Sequence, residues 1–478
     1  MKLRPHKGHS TSLTSLRGLS TKPSSEPTFG ISPRTMAWQQ VSDTKWERPV
    51  SNVEGYLIFS SSMSANLYDG HENFTFFSKI QLETQNLDLI PALKHAWKQI
   101  RYEQPQITAT VESMKKVYEV PDTNALEEWL ASTFIVSSAS DADDLYSTAK
   151  PIHHATLYYL PTSSEIVFRC PHHTIDATGV LLFWHSYLQA LEVPRAGLRF
   201  GNEPASLAPS MEQILNHSGN TVERFHTKGT ELFTKWADCI PGVAPGIQLE
   251  TAPSGRCQIT EMVFPVDTTR ALVAACKITG VTVTAAVHAA YARAAIKYSD
   301  SEPQRSQYVA STQFDIRRYL PEPYDSNRYA VSNYVDTLPY MVDLPASFWD
   351  IAKSLHKHYQ TSIKGNAEVL DANGHMTRIL GDVTLAPEFL AKLSTKDAVV
   401  SSLGIVERHV QREYGSNIKV KDLKIGLDIV MGSSMLLIYT FHDQLRLEYS
   451  FNDGLESAED VQTYLEEVRS ILTQELLA

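Results

Sequence analysis

The stretch Pro171-His172-His173-Thr174-Ile175-Asp176-Ala177-Thr178-Gly179 constrains this chain more than any other. It sets an imidazole, a carboxylate and a glycine in the joint between a strand and a helix. Residues 163–170 alternate apolar Ile166 and Phe168 with Glu165 and Arg169, the pattern of a half-buried strand. From Val180 onward the chain reads as an apolar helix that ends near Leu191. The histidines therefore sit where a strand stops. An imidazole titrates near neutral pH, and with the right neighbours it deprotonates an alcohol as a general base. Spacing alone is a weak signal, because adjacent histidines are more often packed than catalytic. The strand-loop-helix setting is what strengthens the functional reading.

With 478 residues the chain exceeds what one hydrophobic core usually serves, so two domains of about 200 residues each are expected. Hydrophobic residues make up 42% and charged residues 20%, a globular composition without an apolar run of the roughly 20 residues that a membrane span needs. The net charge of −11 argues against a nucleic-acid surface, which depends on clustered Lys and Arg. Cys170, Cys239, Cys257 and Cys276 are scattered, with no CxxC pair, and read as reduced thiols of a cytoplasmic protein. Residues 1–40 carry Lys2, Arg4, Lys7, Arg17, Lys22 and Arg34 against one acid, Glu26. They read as a disordered tail or as an upstream start ahead of Met36, with organelle targeting as the other option.

Periodicity outlines the rest of the chain. Residues 88–100 follow helical spacing, while residues 107–111 and 116–120 have strand character. Residues 153–160 and 165–170 read as a hairpin that delivers the chain to the histidines. Residues 192–256 read as a connector with one helix near 222–236. A strand at 259–264 and a helix at 267–279 closed by Gly280 follow, and then an alanine-rich helix at 282–297. A second hairpin, 435–441 with 445–451, precedes a terminal helix with Val461, Tyr464, Leu465, Val468 and Leu472 on one face.

Four passages, in order, carry a resemblance to the CoA-dependent acyltransferase superfamily, which includes condensation domains, BAHD acyltransferases and fungal alcohol acetyltransferases. His172 to Asp176 matches the HxxxD spacing, and Thr282 to Ala295 is similar to an alanine-rich helix of the family. Phe314-Asp315-Ile316-Arg317 together with Ser332-Asn333-Tyr334-Val335-Asp336-Thr337-Leu338-Pro339 resembles the crossover passage. Ser401-Ser402-Leu403-Gly404 resembles a strand that lines the family's channel. Within the superfamily, the chain is most similar in flavour to fungal trichothecene 15-O-acetyltransferases. Ala177 stands where the family usually has glycine, with Gly179 two positions later. No DFGWG sequence is present, and residues 426–434 occupy its approximate place.

The resemblance implies an α/β fold of two chloramphenicol-acetyltransferase-like domains, each a mixed sheet flanked by helices, with a channel between them. The domains are expected at 41–225, carrying the histidine motif, and at 226–478, carrying the crossover. It further implies O-acyl transfer, expected to be acetyl, from acyl-CoA to a hydroxyl of a small hydrophobic secondary metabolite. His172 would be the general base in a direct ternary complex, with no bound cofactor and acetyl-CoA as co-substrate. Asp176 would pair with Arg317 and, with Gly179, support the site. His173 fits less well, because only His172 precedes Asp176 by four residues. His173, Asn333, Thr337 and Ser402 are candidate channel residues, the last three each with an alternative structural role. A metal held by His172, His173 and Asp176 lacks the helical histidine pair that zinc sites favour. The expected partners are the alcohol and acyl-CoA, with neither nucleic acid nor a membrane span, and the protein is expected to be a monomer. The alternative is the same fold turned to condensation or cyclisation, or to ligand binding without catalysis.

Overall fold

The structure is a computed structural model that describes residues 36–478 apart from 86, 216–221, 246–254, 300–305, 365–366, 384–397 and 431–433. Most of the basic segment 1–40 thus lies outside the described residues.

Two six-stranded mixed sheets carry the fold. The first runs in the order Glu413–Tyr414, Ile418–Leu427, Thr75–Thr84, Glu165–Pro171, Thr156–Leu160, Phe134–Val136. The second runs Val335–Asp343, Gln307–Asp315, Ala398–Ile405, Ser434–Phe441, Gln444–Asn452, Cys257–Val263. Both expected hairpins are present and antiparallel. A smaller four-stranded sheet includes Lys115–Glu119.

Apolar side chains from the helices Leu89–Glu103 and Ala177–Glu192 pack on the first sheet. Phe168 of the motif strand stacks on Phe183 with centroids 3.9 Å apart, and Trp97 meets both rings edge-on. Burying each such side chain contributes roughly 1.5–3 kcal/mol. The second sheet is covered by Val283–Lys297, Phe348–Thr361 and Ala458–Leu476. Alanines at 285, 286, 289, 290, 292, 294 and 295 are all buried, which lets Val283–Lys297 lie close between its neighbours. Thr282 caps it, and Gly280 ends the preceding helix at φ 72°. Among the described residues no single helix is long and apolar enough to cross a membrane.

The structure departs from the sequence reading at residues 107–111. Residues 107–111 are not one strand: a 3₁₀ turn at Pro105–Thr108 precedes a short strand at Thr110–Glu112. The reason is tertiary. Gln106 donates from its amide to Val331 O at 2.8 Å, and Gln104 both donates to Asn327 O and accepts from Val331 N, so this turn grips the crossover. Ile418–Leu427, far along the chain, pairs antiparallel with Thr75–Thr84 of the first sheet. Strand exchange of this kind is invisible to local periodicity. It locks the two halves together beside the motif strand.

Candidate active site

The motif loop is built around the Asp176 carboxylate. Asp176 caps the helix Ala177–Glu192, and its Oδ1 accepts from Gly179 N at 2.7 Å. Arg317 Nη1 donates to both carboxylate oxygens at 2.8 Å, and Tyr334 N donates to Oδ2 at 2.7 Å. Arg317 also reaches Ser332 and Asp315, and its guanidinium lies over the Tyr334 ring. Burial pulls the Arg317 pKa down, but the Asp176 and Asp315 charges outweigh it and hold the pKa above its ordinary value. Asp176 is therefore committed to Gly179, Arg317 and Tyr334. Gly179 allows the close approach, since a Cβ there would sit 2.4 Å from Ala330 O and 2.8 Å from Ile175 Cγ1. The glycine shifted to 179 thus serves the contact between motif helix and crossover.

His172 sits at the end of the strand Glu165–Pro171, half-buried, with its ring against Phe76 at a centroid distance of 4.6 Å and Phe74 at 6.4 Å. Its carbonyl accepts from Asn333 Nδ2 at 2.9 Å. Nδ1 is buried without a hydrogen-bond partner, which leaves Nε2 as the ring nitrogen open to its surroundings. The residue lines a cavity of about 190 Å³ between the two sheets, closed by the helices Asn52–Leu67 and Ala367–Val383. Its walls include Phe74, Leu427, Val399 and Met435, with Gln313, Asp336 and Asn373 as polar groups. Desolvation pushes the His172 pKa below the ordinary imidazole value of 6.5, against the opposing pull of its own carbonyl, Asp176 and Asn333. The ring is thus biased toward its neutral form.

The other expected site residues divide. Thr337 lines the cavity, with its hydroxyl donating to Gln313 Oε1 at 2.7 Å. Asn333 does not line it and acts through the His172 carbonyl instead. His173 turns away from the cavity. Its carbonyl accepts from the buried Lys116 Nζ at 2.6 Å, and desolvation with the nearby Lys116 charge pushes its pKa down to about 3. Ser402 also falls outside the cavity, its Oγ 2.8 Å from Thr284 Oγ1 of the alanine-rich helix. Val399 of the same strand lines the cavity, and strand alternation puts residue 402 on the opposite face. Among the described residues no three His, Cys, Asp or Glu side chains come together as a metal site. Cys170 is wholly buried and its thiol is pushed far up by desolvation, which suits a packing role. His288 is a core histidine held between the hydroxyls of Tyr359 and Tyr308 at 3.0 and 2.9 Å.

Sequence reasoning missed Asp336, Gln313 and Asn373 in the cavity wall and the rings of Phe74 and Phe76 against His172. Asp336 lay inside the crossover passage, yet an acid within a strand pattern carries no signal of its own. Asn373 belongs to a helix whose approach to the crossover strand is purely tertiary.

No family model matches the chain. It is 27% identical to the O-acetyltransferase pigM of Monascus ruber over 92% of this chain and 87% of that protein. It is 23% identical to the acetyltransferase pigO of the same organism, over 92% and 98%. A third relative is described differently, as loline biosynthesis cluster 1 transcription factor lolU1 of Epichloe uncinata, at 26% identity over 92% and 96%. Among solved structures, trichothecene 15-O-acetyltransferase TRI3 from Fusarium sporotrichioides superposes with a TM-score of 0.78 at 17% identity, covering 92% of this chain and 98% of that one. The EpoB cyclization-docking bidomain from Sorangium cellulosum gives 0.60 at 15%, covering 89% and 84%. The architecture is thus the mixed α/β fold shared by condensation domains and acetyltransferases. The resemblance to the CoA-dependent acyltransferase superfamily holds over nearly all of the described chain, with fungal acetyltransferases among its relatives.

Proposed function

We propose that this protein is an O-acyltransferase that moves an acetyl group from acetyl-CoA to a hydroxyl of a small, hydrophobic secondary metabolite. The observation that carries the reading is the neutral His172 ring on the wall of a mainly apolar internal cavity, with Nδ1 sealed and Nε2 open. Acetyltransferase names among the relatives support the reaction class.

In this mechanism the acceptor oxygen attacks the thioester carbonyl while its proton passes to His172 Nε2. The tetrahedral intermediate collapses, the C–S bond breaks, and the proton leaves with the CoA thiolate. General-base assistance contributes on the order of 10² to 10⁴-fold. Holding both substrates in one passage offsets several kcal/mol of encounter entropy, about 7 at the lower end. Asp176 and Arg317 stay outside the proton path and hold the loop that presents the imidazole.

The test is purified protein with acetyl-CoA and a panel of terpenoid and polyketide alcohols, following thiol release. Release that requires an added alcohol is expected. Ligand binding without release under any condition would instead favour the same fold put to another use.

A further inference from the structure

Asp336 borders the same cavity as His172 but has no part in the mechanism above. It is only 2% exposed, and its two oxygens are treated unequally. Oδ1 accepts from Thr337 N at 2.9 Å and also from Asn373 Nδ2. Oδ2 is buried with no hydrogen-bond partner in the protein. Leaving such an oxygen unsatisfied is costly, so native folds seldom do it without a use for the group.

The bonding pattern also fixes where a proton can reside. An oxygen that already accepts two N–H donors is a poor place for one, so the carboxylic acid form carries its hydrogen on Oδ2. Desolvation, reinforced by the Glu212 charge and opposed by Asn373 and Thr337, raises the Asp336 pKa to about 7. An apolar molecule filling the cavity removes more water and favours the neutral acid further.

We infer that Asp336 Oδ2 is the polar recognition point of this cavity, donating a hydrogen bond to a carbonyl oxygen of the bound acceptor, remote from its reacting hydroxyl. The inference rests on reading the cavity as the acceptor site, and it narrows the acceptor class to hydrophobic hydroxy-ketones. Asp336 is then a specificity residue, distinct from the base.

Two variants separate this role from a structural one. Asp336→Asn keeps a carbonyl oxygen for Thr337 and Asn373 and offers an N–H where the acid offers an O–H. Asp336→Val keeps the size and removes both functions. The probes are one- to three-ring hydroxy-ketones, each paired with the alcohol in which a methylene replaces the carbonyl. Binding is measured by calorimetry, and acetyl-CoA turnover is followed in parallel. Wild type and Asp336→Asn should bind at least one hydroxy-ketone about tenfold more tightly than its partner. Asp336→Val should lose that preference while binding the methylene partner as before. Equal affinity within every pair, including the case where neither member binds, overturns the inference. So does a preference that Asp336→Asn abolishes, which would mean that the charged carboxylate is what is read. If Asp336→Val fails to fold, the wild-type and Asp336→Asn comparison still decides. Discrimination without acetyl transfer would leave the inference standing and remove the acyltransferase reading.

Discussion

Arg317 places one terminal nitrogen 2.8 Å from each carboxylate oxygen of Asp176, joining the crossover to the motif loop across 141 positions of sequence. Both side chains are almost wholly buried, at 3% and 2% exposed. A buried pair is weak evidence of net stabilisation, but removing one partner strands the other charge. Arg317→Met should therefore cost about 3–5 kcal/mol in urea unfolding, because Asp176 would keep only the Gly179 and Tyr334 amides as donors. Activity should fall in step with the loss of folded protein. A variant of wild-type stability would show that the pair does not hold the loop.

His172→Ala should show the opposite profile. The ring is half-buried at the end of a strand with Nδ1 unpartnered, so its loss mainly removes packing against Phe76 and Phe74. Turnover with acetyl-CoA and an accepted alcohol should drop on the order of 10² to 10⁴-fold. The melting temperature should stay within a few degrees of wild type. Comparable rates in the two proteins would remove His172 from the mechanism.

Gly179→Ala tests the close contact between motif helix and crossover. The added Cβ would meet Ala330 O at 2.4 Å, a backbone atom that cannot swing aside. Relief requires the helix start to move away from the crossover, at about 1–3 kcal/mol, carrying Asp176 with it. Reduced stability together with a lower kcat is expected in thermal unfolding and in steady-state assays. An unperturbed Gly179→Ala protein would mean that residue 179 has room to spare.

What the sequence could reveal follows from which physics is local. The hairpin before the motif, the Gly280 terminator, the alanine-rich helix and the apolar face of the last helix are set by spacing and capping, and each is present within a few residues of its expected bounds. The pairing of Asp176 with Arg317 was accessible only through family resemblance, since nothing near either residue points to the other. Ile418–Leu427 crossing into the first sheet, and Asn373 reaching Asp336, depend on tertiary approach, for which periodicity has no term. Ser402 shows that a motif can mark a strand without fixing which way each side chain faces. The strand lines the cavity through Val399, while the Ser402 hydroxyl bonds Thr284.

The pH profile supplies a further test of the base. A general base must be neutral to act, and desolvation lowers the His172 pKa beneath 6.5 despite the upward pull of its carbonyl, Asp176 and Asn333. The neutral form then persists further into mildly acidic solution than for an ordinary imidazole, so the midpoint of the acid limb of kcat/KM should lie below pH 6.5. The same sign governs folding: the unfolded chain binds this proton more readily, so the group's contribution to stability is present above 6.5 and is lost as the pH falls. Both limbs can be measured on one preparation, with initial rates for the first and denaturant midpoints for the second. An acid limb of kcat/KM at or above 6.5 would contradict a desolvated base. A limb unchanged in His172→Ala would assign the titration to another group, and the buried carboxyl of Asp336, raised to about 7 mainly by desolvation, would be the next to examine.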